Sequence, residues 1–179
     1  MGTLAFQDDV RLGVRQHLTR TPAGAPRRQL RRDTSAGSLA MSGRRPRVGD
    51  VIQVMLRDSS YAYGRVLHDT SVAFYSATTV EPGLPPIGSR DYQLVVGVYD
   101  HVLGSEGAPV VGHDPSQGFE DDWPPPNSIR DPISGAMSIY HHGHIRPAMP
   151  GEAEGLETAA VWDLHHLIDR LMGVDRWTR

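Results

Sequence analysis

Val48-Gly49-Asp50-Val51-Ile52-Gln53-Val54-Met55-Leu56-Arg57-Asp58-Ser59-Ser60-Tyr61-Ala62-Tyr63-Gly64-Arg65-Val66-Leu67 is the stretch that decides the fold. Val51 to Leu56 is an apolar, β-branched run, and Arg57 to Ser60 supplies a short polar loop. Tyr61 to Leu67 then returns as a second strand, so the segment reads as a β-hairpin. Gly64 inside the second strand marks a bulge or a close backbone approach. His68-Asp69-Thr70 turns the chain again into Val72-Ala73-Phe74-Tyr75, a third strand of a meander.

The pattern continues outward from this hairpin. Glu81 to Gly88 is a Pro/Gly loop in which regular structure is not expected. Tyr92 to Leu103 is the longest strand candidate. Leu94, Val96 and Val98 fall on one face and Val95 and Tyr99 on the other, which predicts a central strand buried on both sides. Gly107 to Gly112 can add a short edge strand, and Asp114 to Pro132 is loop-rich. Ala136 to His141 and Ile145-Arg146 flank His142-Gly143 as a hairpin whose tip glycine can take positive φ. Leu156 to Trp162 reads as a strand. Asp163 then caps a helix whose Leu164, Leu167, Ile168 and Leu171 form one apolar stripe, with Gly173 as its stop. The expected fold is α+β: a predominantly antiparallel, partly open barrel-like sheet closed by a C-terminal amphipathic helix.

Charge divides the chain of 179 residues unevenly. Residues 1–47 hold ten Arg against three Asp, a balance of +7, whereas residues 48–179 hold eight Arg against eighteen Asp and Glu, a balance of -10. The first 47 residues have few large apolar side chains and no sustained period, so they cannot bury enough surface to offset chain entropy. Residues 1–46 are therefore expected to be a disordered Arg-rich extension, with one short helix near Asp9 to Leu18. Met41 stands as the expected native start, which makes residues 1–40 upstream sequence. Residues 47–173 form the expected β-rich domain and 174–179 a tail. An arm that binds nucleic acid is the alternative use of the basic segment.

The chain has no cysteine, which excludes disulfides, zinc ribbons and thiol catalysis. No apolar run reaches the roughly 20 residues of a membrane helix, and no secretory h-region is present, so the expected location is cytoplasmic.

Candidate chemistry is sparse. No Gly-x-Ser-x-Gly elbow supports a Ser-His-Asp arrangement, and no catalytic residue is assigned. His141, His142 and His144 resemble a metal cluster, but neighbours in a hairpin point to opposite faces, and His165 and His166 diverge by about 100° on a helix. No metal or cofactor is expected. Glu120-Asp121-Asp122-Trp123 is an acidic loop with an aromatic anchor: solvated loop, partner contact and cation site are the readings it leaves open. Glu154 and Glu157 suit a local helical turn. Tyr61 and Tyr63 share a strand face and either pack on the sheet or contact a ligand.

Gly49-Asp50-Val51-Ile52 with Tyr61-Ala62-Tyr63-Gly64-Arg65-Val66 resembles the opening hairpin of the immunity protein 26 family of bacterial polymorphic toxin systems. Glu154-Gly155-Leu156-Glu157, Ala159-Ala160-Val161-Trp162-Asp163, His166 and Asp169-Arg170-Leu171 are similar to that family's C-terminal signature. The resemblance spans residues 47–172 and departs from the pattern at Ala108, where the family often carries an aromatic residue. It implies a cytoplasmic antitoxin, without activity of its own, that binds and neutralises one cognate toxin domain. The motif residues, Gly49, Asp50, Tyr63, Gly64, Gly155, Leu156, Glu157, Trp162 and Asp163, read as scaffold. The expected contacts with the toxin are Tyr61, Tyr63 and Glu120 to Trp123. The charge of -10 favours a basic partner, such as a nuclease domain, since enzymes that grip phosphate are basic. Nucleic acid and membrane are not expected partners. A β-barrel module reading a peptide or nucleic acid is the alternative, followed by a metal-dependent hydrolase using His141 and His142.

Overall fold

A computed structural model describes residues 45–116 and 118–174. The expectations placed on residues 1–44 and 175–179 lie outside the described residues. Nine strands and one helix follow in order: β1 (Asp50–Met55), β2 (Tyr61–Val66), β3 (Ser71–Thr79), β4 (Tyr92–Val98), β5 (Val110–His113), β6 (Asn127–Arg130), β7 (Met137–His141), β8 (His144–Pro147), β9 (Val161–Trp162) and α1 (Leu164–Leu171). A single 3-10 turn, Glu120–Asp122, precedes β6. The strands make a six-stranded sheet in the order β5-β1-β2-β3-β4-β9 and a three-stranded sheet in the order β6-β7-β8. All pairings are antiparallel except β4 with β9. The fold is α+β and antiparallel-rich, but it consists of two open sheets instead of a barrel.

The hairpin that opens the domain sets the frame. Val51 pairs with Arg65, Gln53 with Tyr63 and Met55 with Tyr61, so the polar loop between them falls where the sequence puts it. Gly64 sits at a register shift between β2 and β3, and a Cβ there would come within 2.9 Å of Phe74 Cε1 and closer still to Val72 Cγ1. The glycine is required by a close approach of strands.

Both faces of the large sheet are covered. On one, Ile52, Val54, Val72, Phe74, Val96 and Val98 meet Leu167 and Leu171 of α1, with Val102, Leu103, Ala108 and Trp162 completing the core. Full burial of each such side chain stabilises by about 1.5–3 kcal/mol. Asp163 caps α1 by accepting from the Leu164 amide at 2.6 Å, and the helix ends at Gly173 with φ of 72°. Ala108 is wholly buried in this core. On the opposite face Val51, Tyr63 and Tyr75 pack with Tyr61, Tyr92 and Val111.

Two expectations need correction. β4 lies inside the sheet, between β3 and β9, but it is not the longest strand, with seven residues against nine in β3. It stops at Val98, Tyr99 is about half exposed, and the strands with both faces covered are β1 to β3. Backbone bonds from Val102 to Tyr99 and from Ser105 to Val102 curl the following segment into turns that still bury Val102 and Leu103, so an apolar run without period was a turn and not a strand. The loop-rich segment after Asp114 holds one short strand, β6, whose Asn127-Ser128-Ile129-Arg130 pairs along its length with β7. Strand structure after Leu156 is confined to Val161–Trp162. Upstream of it, Ser128 and Thr158 form a single parallel bridge.

Candidate functional site

Three tight turns meet at one end of the domain. The β2–β3 connection closes with Ser71 N donating to His68 O at 3.2 Å, and its central residues Asp69 and Thr70 both have positive φ, 59° and 51°. The β7–β8 connection pairs His141 with His144 around His142 and Gly143, at φ of 52° and 77°. Such two-residue hairpin turns need positive φ at both central positions. In the 3-10 turn, Asp121 and Asp122 take φ of 46° and 59°. Among the described residues six non-glycine positions have positive φ, and five of them are on these three turns. Asp and His tolerate this region; the β-branched Thr70 does not, at a cost of about 1–2 kcal/mol. Strain of this kind concentrates at functional sites.

The turns are joined by specific contacts. His68 N donates to Asp122 O at 3.0 Å, tying the β2–β3 turn to the acidic loop. The Trp123 ring stacks on the His68 ring at 4.9 Å and meets the His142 ring at 4.9 Å with a tilt of 34°, and His142 lies tilted against His141 at 3.9 Å. Tyr140 donates a short hydrogen bond to Asp69, linking the small sheet to the large one. That bond, with partial burial, pushes the Tyr140 phenol up to about 12, so it stays a donor throughout the physiological range. Burial and the neighbouring His142 hold His141 below the usual imidazole range, which favours its neutral form. The result is an aromatic ledge edged by carboxylates.

The acidic residues do not act alike. Asp122 is the counter-ion of Arg65, whose guanidinium is 1% exposed: Nη1 lies 2.9 Å from Asp122 Oδ1, and Nε donates to Asp114 O at 3.1 Å. Asp122 is thus held inward. Glu120 and Asp121 remain exposed, and Trp123 is half-buried between its two histidines.

Tyr63 requires a correction. It is fully buried, and its hydroxyl anchors the Pro/Gly loop through Thr79 Oγ1 at 2.9 Å, Glu81 O at 3.2 Å and the Leu84 amide at 3.2 Å. It has no surface to offer a partner in this structure. Tyr61 is half-buried at the other end of β2 from the turn, about 17 Å away at 3.3 Å per residue, so the two tyrosines and the acidic loop do not form one surface.

The motif residues have structural duties. Gly49 at φ of 85° passes under His113, and Asp50 accepts from Arg47 N at 2.8 Å and contacts His113 Nδ1 at 3.0 Å. Glu157 holds Arg170 with two bonds of 2.7 and 3.0 Å, and Arg170 lies over the Trp162 ring at 4.8 Å. Gly155 turns the chain at φ of 75°, and Leu156 beside it is half-buried. Among the described residues no three His, Asp or Glu side chains converge as metal ligands. His165 lies tilted against His166, which makes an edge contact with Trp162.

The chain matches no known family model, curated protein or solved structure. Residues His68, Asp69, Thr70 and Tyr140 belong to the ledge although no motif marks them. The readable signal was the unusual Asp69-Thr70 pair in a turn too short for anything but positive φ.

Proposed function

We propose that the protein is an immunity protein that binds a basic toxin domain stoichiometrically and blocks it, acting in the cytoplasm. The observation that carries this reading is the ledge itself: exposed Glu120 and Asp121 beside Trp123, which stacks on His68 and touches His142 where three turns meet. Aromatic anchors in rigid settings supply most interface affinity, and surrounding charge sets the rate of encounter. The balance of -10 beyond residue 47 extends the same field over the domain. The resemblance of Gly49 to Val66 and Glu154 to Leu171 to the immunity protein 26 family supports it independently. Exposed carboxylates repel phosphate, which weighs against the nucleic-acid module. No helix of the described residues is long and apolar enough to cross a membrane.

Co-purification with the product of the adjacent gene tests the proposal. The expected outcome is a stable equimolar complex that abolishes that product's toxicity and whose association slows with added salt. Reversing both exposed charges, Glu120→Lys with Asp121→Lys, should cut the association rate about tenfold or more at low salt. A neighbour that is toxic yet forms no complex would overturn the reading.

A further inference from the structure

Beside the ledge, the two sheets leave a cleft of about 440 Å3 between them, within the range of about 300–1,000 Å3 typical of binding pockets. Its apolar walls come from four strands, Val96 of β4, Ile129 of β6, Ile145 of β8 and Val161 of β9, and Thr70, Ser71, Asn127 and Thr158 add polar groups to the lining. Asp69 and Tyr140 stand in its lining, and among the described residues no basic side chain does. Two of the wall residues are large apolar groups left in water, Ile145 at 65% and Val161 at 52% exposure.

We propose that this cleft seats one basic side chain, an arginine or a lysine, projected from a loop of the protein partner. The inference rests on the reading of a basic protein partner and names where its charge is received. Arg and Lys bury their methylene stems along apolar surface while keeping the charged head at a polar rim. The cleft has that composition, with apolar walls for the stem and one carboxylate for the head. Tyr140 donates to Asp69 Oδ2, which orients the carboxylate and leaves Oδ1 to accept from the guest. The strained Asp69-Thr70 turn holds the acceptor at the mouth, so little ordering remains to be done on binding. A guest here also covers Ile145 and Val161.

Titration of the isotope-labelled full chain with the capped tripeptide acetyl-Gly-Arg-Gly-amide, followed by amide and methyl NMR, tests this. Saturable shifts at Val96, Gly97, Ile129, Ile145 and Val161 are expected. The neutral isostere, with citrulline for arginine, should bind about tenfold more weakly, and Asp69→Asn should cost the arginine peptide the same factor. Asn tolerates positive φ, so the turn survives the substitution. Should that variant nevertheless misfold, Ile145→Arg, at an exposed wall position, places the protein's own guanidinium at the rim and should abolish the shifts. Equal binding of the arginine and citrulline peptides overturns the proposal, as do shifts confined to Glu120 to Trp123 or no saturable shift at all. None of these touches the co-purification result, so the seat and the antitoxin reading fail separately.

Discussion

On the sheet face away from α1, Arg65 and Asp114 place full charges where almost no water reaches, and each survives through its partners. Burial alone disfavours the Asp114 carboxylate, but hydrogen bonds from the Ser116 hydroxyl, the Gly88 amide at 2.9 Å, the Ser116 amide at 2.9 Å and the Tyr75 hydroxyl at 2.9 Å outweigh it and hold the group down to about 2. The same burial and the Asp114 contact push the Tyr75 phenol up, so it remains the donor. A carboxyl depressed in the folded state stabilises fully above its unfolded value, near 4, and loses that contribution as pH falls toward about 2. Asp114→Asn removes the charge from these bonds and should destabilise the protein by about 2 kcal/mol at neutral pH. Urea melts should show the gap between wild type and variant shrinking from about pH 4 to about pH 2; a gap independent of pH would sink the assignment. None of this was legible at Arg65, which sits in Tyr63-Gly64-Arg65-Val66 as an ordinary alternating strand residue. Its partners are 49 and 57 positions away in the sequence, on a loop whose carboxylates look merely solvated.

Elements whose cause is local were readable, and those whose cause is distant were not. The β1–β2 hairpin, the His142-Gly143 turn and α1 with its Asp163 cap each follow from alternation, turn chemistry or a helical stripe within one segment. β6 carries no alternation of its own and becomes a strand by pairing with β7, while β4 loses its last residues to turns that bury Val102 from a different direction. Gly64 shows the two kinds of cause meeting. Its place in an apolar strand signals a close approach, yet only the packing of β3 identifies Val72 and Phe74 as the neighbours. Neither side chain can retreat, because both are wholly buried in the core beneath α1. Gly64→Ala should therefore destabilise by about 3 kcal/mol through overpacking, although alanine is normally the better strand residue. Thermal or urea denaturation checks it: a variant as stable as wild type would mean that β2 and β3 separate here at little cost.

Across the whole molecule the two sheets are unequally anchored, and the site lies on the boundary between them. β1 to β4 supply most of the core, whereas the residues of β6, β7 and β8 contribute Ile139 alone to the fully buried apolar set, and β8 is exposed throughout. The small sheet is held instead by polar and aromatic ties. Ser128 N donates to Glu157 O at 2.8 Å, Ala159 N to Ser128 O at 2.8 Å, Tyr140 bonds Asp69, and Trp123 packs against His142. Regions with few buried apolar contacts open at lower free energy than the global transition. Native-state amide exchange should accordingly find the β7–β8 amides opening at least about 2 kcal/mol more easily than those of β2 and β3. Equal opening free energies in the two sheets would show one cooperative unit and remove the distinction. A partner seated on the ledge touches turns from both sheets, so it binds the closed arrangement and not the opened one. Such a ligand stabilises the small sheet by mass action, and the β7–β8 amides should gain protection as the partner concentration passes its dissociation constant, while those of β2 and β3 change less. Weak anchoring of the small sheet is then what lets exchange report on binding at the ledge.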